Sequence, residues 1–245
     1  MDVLGAVVAR DRRSGRPAVH VAAADRTISY HDFCTTAYKA GNVLRYLGVR
    51  EEAVVVVGGP VGPQPLWALY GAAQLGAVTE FVDVAAVGDD REATTDARVL
   101  LLPVDREDAV DPSPGTKLAT YGGAPTRPTT LHWEKELWSE NPAVHPTAVA
   151  PSDALLSAGR TYTHEQVLDA ARAVADRFDL DDDCRVAVRG PLSEPGVVVA
   201  GLVAPLLVGG TVVVPDGDVA GDVAVVADRD TAPEPRVCRP DDVPL

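Results

Sequence analysis

Lysine is almost missing from this 245-residue chain: there are three, Lys39, Lys117 and Lys135, and none follows. With 36 acidic residues against 22 basic ones, the formal net charge is −14. A surface of that sign repels a phosphate backbone, which excludes nucleic acid as a ready partner. The acidity is carried by 25 Asp and only 11 Glu. An aspartate-rich, lysine-poor surface stays soluble where salt screens its self-repulsion, so a salt-adapted, halophilic cytoplasm is the expected setting. Dialysis to low salt, followed by circular dichroism, is then expected to unfold the chain; full stability without salt would refute the reading.

Cysteine is equally sparse. Cys34, Cys184 and Cys238 lie far apart, with no CxxC pair. That pattern excludes a zinc site and a disulfide framework and fits free thiols in a reducing compartment. Leu4 to Ala9 is a short apolar run followed by Arg10, Arg12 and Arg13, unlike an export signal. Gly196 to Pro215 carries no charge and approaches membrane-spanning length. Pro205, Gly209 and Gly210 interrupt it, so it reads as a buried helix feeding a buried parallel strand, and no membrane partner is expected.

Catalytic signatures are missing too. There is no GxSxG elbow, no HExxH and no cysteine beside a histidine base, so no catalytic residue and no metal ligand is assigned. Ser157 with His164 is a conceivable nucleophile and base, but His164 follows a Thr cap, where a polar residue is routine. The turn Gly58-Gly59-Pro60-Val61-Gly62-Pro63 could hold a phosphate on helix-terminal amides, yet it has neither GxGxxG spacing nor a following GK[ST].

What the chain does contain is a repeat. Phe33, Ala37, Ala40 and Leu44 line one face of a helix, and Val167, Ala171, Val174 and Phe178 repeat the spacing at an offset of 134. The caps repeat as well: Ser29 with Asp32 stands where Thr163 with Gln166 forms a capping box. Ala72 and Leu75 pair with Ala204 and Leu207 at offset 132. The fold class is therefore α/β, with layered βαβ units, mainly parallel sheets and internal duplication. The duplicated segments run from about Arg26 to Asp83 and from Arg160 to Asp216.

The domain reading follows. Residues 1–150 form a first α/β unit, core 18–121, plus a Pro/Trp linker; residues 151–230 form a second unit; residues 231–245 are a Pro/Asp-rich tail. Strands are expected at Ala18 to Ala24, Ala53 to Val57, Val78 to Asp83, Asp96 to Leu102 and Lys117 to Tyr121, with a helix from Pro65 to Leu75. The linker, with Trp133 and Trp138, reads as a surface connection anchored by its tryptophans, and His132 and His145 as solvated loop residues.

A resemblance can now be named. Arg26-Thr27-Ile28-Ser29-Tyr30, the helix ending in Leu47-Gly48-Val49, and Ala72-Ala73-Gln74-Leu75-Gly76-Ala77-Val78 resemble the opening of AMP-dependent acyl-CoA synthetases, in the adenylate-forming superfamily. Ser152-Asp153-Ala154-Leu155-Leu156 resembles the lead-in to that family's phosphate loop, and the likeness covers roughly Ala18 to Asp228. It implies the N-terminal subdomains of an acyl-CoA synthetase, with ATP, AMP or CoA as the family's ligands. The family's Ser/Thr/Gly-rich loop ending in Pro-Lys-Gly is reduced here to Ser157-Ala158-Gly159-Arg160-Thr161-Tyr162 before Thr163-His164. Arg160 does not replace the loop lysine conservatively. The sequence also stops before the family's adenine- and ribose-binding motifs and its mobile C-terminal domain with the catalytic lysine.

The expected function is thus a truncated synthetase-like, AMP-binding-family protein without adenylation activity, serving as a ligand-binding or accessory module. Ser157, Gly159, Arg160, Thr161, Thr163 and His164 are the candidate residual anion site; simple helix capping is the alternative. Two other readings stand beside it. One is a split acid-thiol ligase completed by a partner chain, which requires an exposed apolar face near Val219 to Ala227; the other is an unrelated enzyme on a generic α/β scaffold.

Overall fold

The computed structural model describes residues 1–84, 96–145, 147–227 and 232–245. Valine-rich runs, stiff at Cβ and apolar on both faces, form the central parallel strands. In chain order the elements are β1 (Pro17–Val21), β2 (Arg26–Ser29), α1 (Tyr30–Tyr46), β3 (Val54–Gly58), α2 (Pro63–Ala73), β4 (Val78–Val82), β5 (Ala97–Pro103), β6 (Lys117–Tyr121), β7 (Leu131–His132) and α3 (Trp133–Ser139). The second half adds β8 (Ala154–Ser157), β9 (Thr161–Thr163), α4 (His164–Arg177), β10 (Arg185–Val188), α5 (Pro195–Val198), α6 (Ala204–Val208), β11 (Thr211–Val214), β12 (Val223–Val225) and β13 (Arg236–Cys238). A π turn, Val199–Val203, joins α5 to α6. It precedes Pro205, which has no N–H to give to the helical ladder.

Two sheets result. One has the order β13-β12-β10-β11-β1-β2 and the other β7-β6-β5-β3-β4-β8-β9. Matching the copies strand by strand, β6-β5-β3-β4-β8-β9 corresponds to β13-β12-β10-β11-β1-β2, with β7 an addition at one edge. All pairings are parallel except the hairpins β1–β2 and β8–β9. Each hairpin sits in the other copy's sheet: Val19 pairs with Val212, and Thr79 with Leu156. Neither residues 1–150 nor residues 151–230 hold a whole sheet, and the 231–245 tail supplies the edge strand β13.

The four long helical segments lie between the sheets. One continuous core joins Val55, Val57, Val99 and Leu101 from one sheet, Val186, Val188, Val212 and Val225 from the other, and the apolar faces of the helices. Alternation along the strands sends Val56, Leu100, Leu102 and Leu118 to the opposite face, where they form a smaller cluster with Val110. The repeating stripes behave as their spacing predicts: Phe33, Ala37, Ala40, Leu44, Val167, Ala171 and Val174 are all buried. Phe33 and Leu44, fully buried, contribute about 1.5–3 kcal/mol each. Helices α1 and α2 touch backbone to backbone, since a Cβ on Gly71 would lie 2.7 Å from the Gly41 nitrogen. Near the pseudo-two-fold axis the Tyr70 hydroxyl donates to the Leu202 carbonyl at 3.0 Å.

Several expectations need correction. The first strand ends at Val21 and passes into a 3₁₀ turn, Ala22–Ala24, and the second helix starts at Pro63, where proline suits the first turn. The Trp linker is part of the fold. It contributes β7 and α3, and Trp133 is fully buried while Trp138 is 80% exposed, so only one tryptophan is an anchor. His145 is buried and stacks on Tyr38, with ring centroids 6.4 Å apart. Val223, Ala224, Val225 and Val226 are buried between β10 and β13, so the exposed apolar face expected of residues 219–227 is not there. Among the described residues no helix is long and apolar enough to cross a membrane.

Candidate functional site

Parallel strands gather their carboxyl ends at one edge of a sheet, and in open α/β folds ligands bind there. Here the duplication places two such edges against each other. The ends of β3, β4, β10 and β11 enclose a cleft of about 670 Å³. Its walls are paired turns: Gly59-Pro60-Val61 from the first copy and Gly190-Pro191-Leu192 from the second, at an offset of 131. Val82, Val84, Val188, Val214 and Pro215 add to the apolar lining.

Both glycines are required by their surroundings. Gly59 has φ +121°, and a Cβ there would lie 1.9 Å from the Tyr121 hydroxyl oxygen. That hydroxyl donates to the Gly58 carbonyl at 3.0 Å, clamping the turn to β6. A Cβ on Gly190 would sit 2.7 Å from Val197.

Two charged residues line the cleft, Asp83 and Arg189. The Arg189 guanidinium forks onto Glu234, with Nε 3.0 and 3.1 Å from the two carboxylate oxygens and Nη2 at 2.7 Å, and it also reaches the Val219 carbonyl at 3.0 Å. Burial alone would raise the Glu234 pKa; hydrogen bonds from Arg189 and from the Gly221 N–H outweigh it and hold the carboxyl below its usual range. The cation is already neutralised within the protein.

One strand over, the predicted anion site takes shape as a hairpin turn. Ser157 ends β8 in register with Glu80 of β4, and only Ala158, Gly159 and Arg160 separate β8 from β9. The turn closes with the Ala158 N–H on the Arg160 carbonyl at 2.9 Å and Gly159 at φ +69°. Ser157 gives its hydroxyl to Glu80, whose pKa is raised by burial against that hydrogen bond. Arg160 lies 4.3 Å over the Tyr162 ring. Thr163 forms the capping box with Gln166. Thr161 is exposed on the hairpin. His164 is turned into the core, fully buried, and its Nδ1 accepts the Leu4 N–H at 3.0 Å. The six residues share one hairpin and helix start, where Ser157 is bonded to Glu80, Arg160 lies on Tyr162, Thr163 caps α4 and His164 is bonded to Leu4. His164 cannot serve Ser157 as a base, because its ring is committed to Leu4.

Sequence reasoning weighed one wall, the turn at residues 58–63, and missed its pairing with the second wall at Gly190-Pro191. The signal for that pairing was the recurrence of Gly-Pro after the third strand of each copy, Gly59-Pro60 and Gly190-Pro191.

These features define a class: a pseudo-symmetric α/β domain whose two sheets meet at a strand-end cleft. The family model for the AMP-binding enzymes matches residues 7–229, and the chain belongs to that family. Among solved structures it is similar to the anthranilate CoA ligase AuaEII in complex with anthranoyl-AMP, at 16% identity and TM-score 0.80, covering 92% of this chain and 49% of that one. It is similar to the N-terminal domain of FACL13 from Mycobacterium tuberculosis, at 16% identity and TM-score 0.77, covering 93% and 63%. ATP-bound MatB from Rhodopseudomonas palustris gives 14% identity and TM-score 0.76, covering 92% and 49%. At these identities the likeness is one of fold: two mainly parallel sheets, as in the N-terminal domain of an acyl-CoA synthetase. The chain spans about half the length of the ligases it matches. A search of curated proteins gives no match.

Proposed function

We propose that the chain is a synthetase-like acyl-binding module that holds an acyl ligand in the strand-end cleft and does not adenylate it through the 157–164 segment. The observation that carries this is the three-residue turn between β8 and β9, where the family resemblance calls for a phosphate-holding loop. Transfer of AMP needs fixed donors on the phosphates as charge develops. At this position Ser157 is held by an acidic group, Arg160 by a ring and Thr163 by a helix cap.

Calorimetric titration in molar salt tests the reading. Magnesium ATP and AMP are expected to give no saturable heat at millimolar concentration, whereas aliphatic or aromatic acyl-CoA binds and loses affinity in Val61→Trp, which fills the cleft. Saturable nucleotide binding that is lost in Arg160→Ala would instead support a retained anion site and a split ligase completed by a partner chain.

A further inference from the structure

Residues 1–13 cross the seam between the two copies. Two 3₁₀ turns, Leu4–Val8 and Arg10–Arg12, lie against α1 and α2 of the first copy, and Leu4, Val7 and Val8 are buried in the common core. The polar ties run to the second copy. Arg172 of α4 donates to the Met1 carbonyl. Arg12 Nη2 donates to the carbonyls of Leu206 and Leu207, at 2.8 and 2.9 Å, where α6 ends. The Leu4 N–H donates to His164 Nδ1 at 3.0 Å.

Two of these ties are made by arginines, whose charge does not change with pH. The third depends on a proton. An imidazole nitrogen that accepts a backbone N–H carries no hydrogen of its own, so the ring's proton sits on Nε2, which is buried without a partner. A second proton would set a donor on Nδ1 against the donor of Leu4, and the tie would fail.

The surroundings do little for that cation. His164 is fully buried at the first position of α4, the positive end of the helix dipole. Of the elements packed closely on α4, none of β8, β9, the π turn and α6 carries a charged side chain, and neither does Leu4–Val8 or α2. On α4 itself Glu165, Asp169 and Arg172 are exposed. In the first segment Asp2 and Asp11 are exposed, and Arg13 lies 5.8 Å over the Tyr38 ring. Asp153 is the charge that favours the protonated ring.

We propose that residues 1–13 form an acid-released strap: protonation of His164 frees this segment from the seam between the copies while both sheets stay paired. The device does not depend on what the strand-end cleft binds. Burial lowers the ring's pKa from 6.5 to about 4 in the strapped state. That value lies below the released one, so the hold is complete above pH 6.5 and is lost as pH falls towards 4. By pH 5 the ratio of strapped to released chain has dropped about 30-fold.

The test is amide hydrogen exchange on the full chain in molar potassium chloride, corrected for the intrinsic effect of pH on exchange. Protection of residues 4–9 is expected to fall about 30-fold between pH 7.5 and pH 5. At pH 5 it should lie at least about tenfold below that of β3, β5 and β10, since a local opening exposes the strap alone. In His164→Asn, which does not titrate, the fall disappears. Asp153→Asn removes the charge that favours protonation, so its response moves to lower pH, a second reading that stands if His164→Asn does not fold. Arg12→Gln lowers protection of the strap at every pH and leaves the size of the pH response unchanged. Strap protection independent of pH, equal protection in strap and strands at pH 5, or an undiminished response in a folded His164→Asn chain would each overturn the proposal.

Discussion

Replacing Glu234 by alanine is expected to destabilise the chain by about 3–5 kcal/mol, the usual consequence of removing one partner from a buried ion pair. Its side chain is fully buried and receives both edges of the Arg189 fork, with Arg189 itself 21% exposed. The variant leaves a guanidinium on the cleft wall without the carboxylate that neutralises it. Denaturant unfolding followed by circular dichroism measures the loss. The double variant Arg189→Met/Glu234→Met is expected to recover most of it, because desolvating the pair costs nearly as much as its attraction returns. A loss below about 1 kcal/mol in the single variant would place the pair among solvent-screened surface bridges.

The second large effect is acid lability centred on His164. Burial pushes its pKa from 6.5 down to about 4, against a smaller opposing pull from Asp153. Because the folded value lies below the unfolded one, protons bind the unfolded chain first as pH falls. The neutral ring's contribution is therefore complete above pH 6.5 and disappears as pH falls towards 4. The gap corresponds to about 3 kcal/mol. His164→Asn keeps an acceptor for the Leu4 N–H but does not titrate. Unfolding free energy measured across that window should fall steeply in the parent and markedly less in the variant; parallel slopes would assign acid unfolding to other groups.

Much of the fold could be read from local spacing. The stripe from Phe33 to Leu44, its copy from Val167 onwards, and the Thr163–Gln166 box each depend on residues within a few turns of one another, so periodicity finds them. What periodicity cannot supply is the partner of a strand. Nothing in the sequence of β1 says that it lies beside β11 and not β3; that depends on pairing across the whole chain. The same holds for the site. Arg189 and Glu234 are 45 residues apart, and the carboxylate comes from a segment that reads only as a Pro/Asp-rich tail. His164 reads as a routine polar residue after a helix cap; the Leu4 backbone bonded to it comes from the far end of the chain. The shortness of the turn between β8 and β9, by contrast, was legible, since it is a matter of how few residues separate Ser157 from Thr163.

The exchanged hairpins have a consequence in time. During synthesis the β1–β2 hairpin emerges early, yet Val19 must wait for Val212, roughly 10–40 s at ordinary ribosome speeds. Until Leu156 is made, β4 likewise lacks its neighbour β8, so the nascent half carries an unpaired strand edge of the kind that recruits other chains. Neighbours this distant in sequence make closure slow. A ribosome stalled after the first copy would release a chain whose natural way to complete its sheet is to borrow the hairpin of a second molecule.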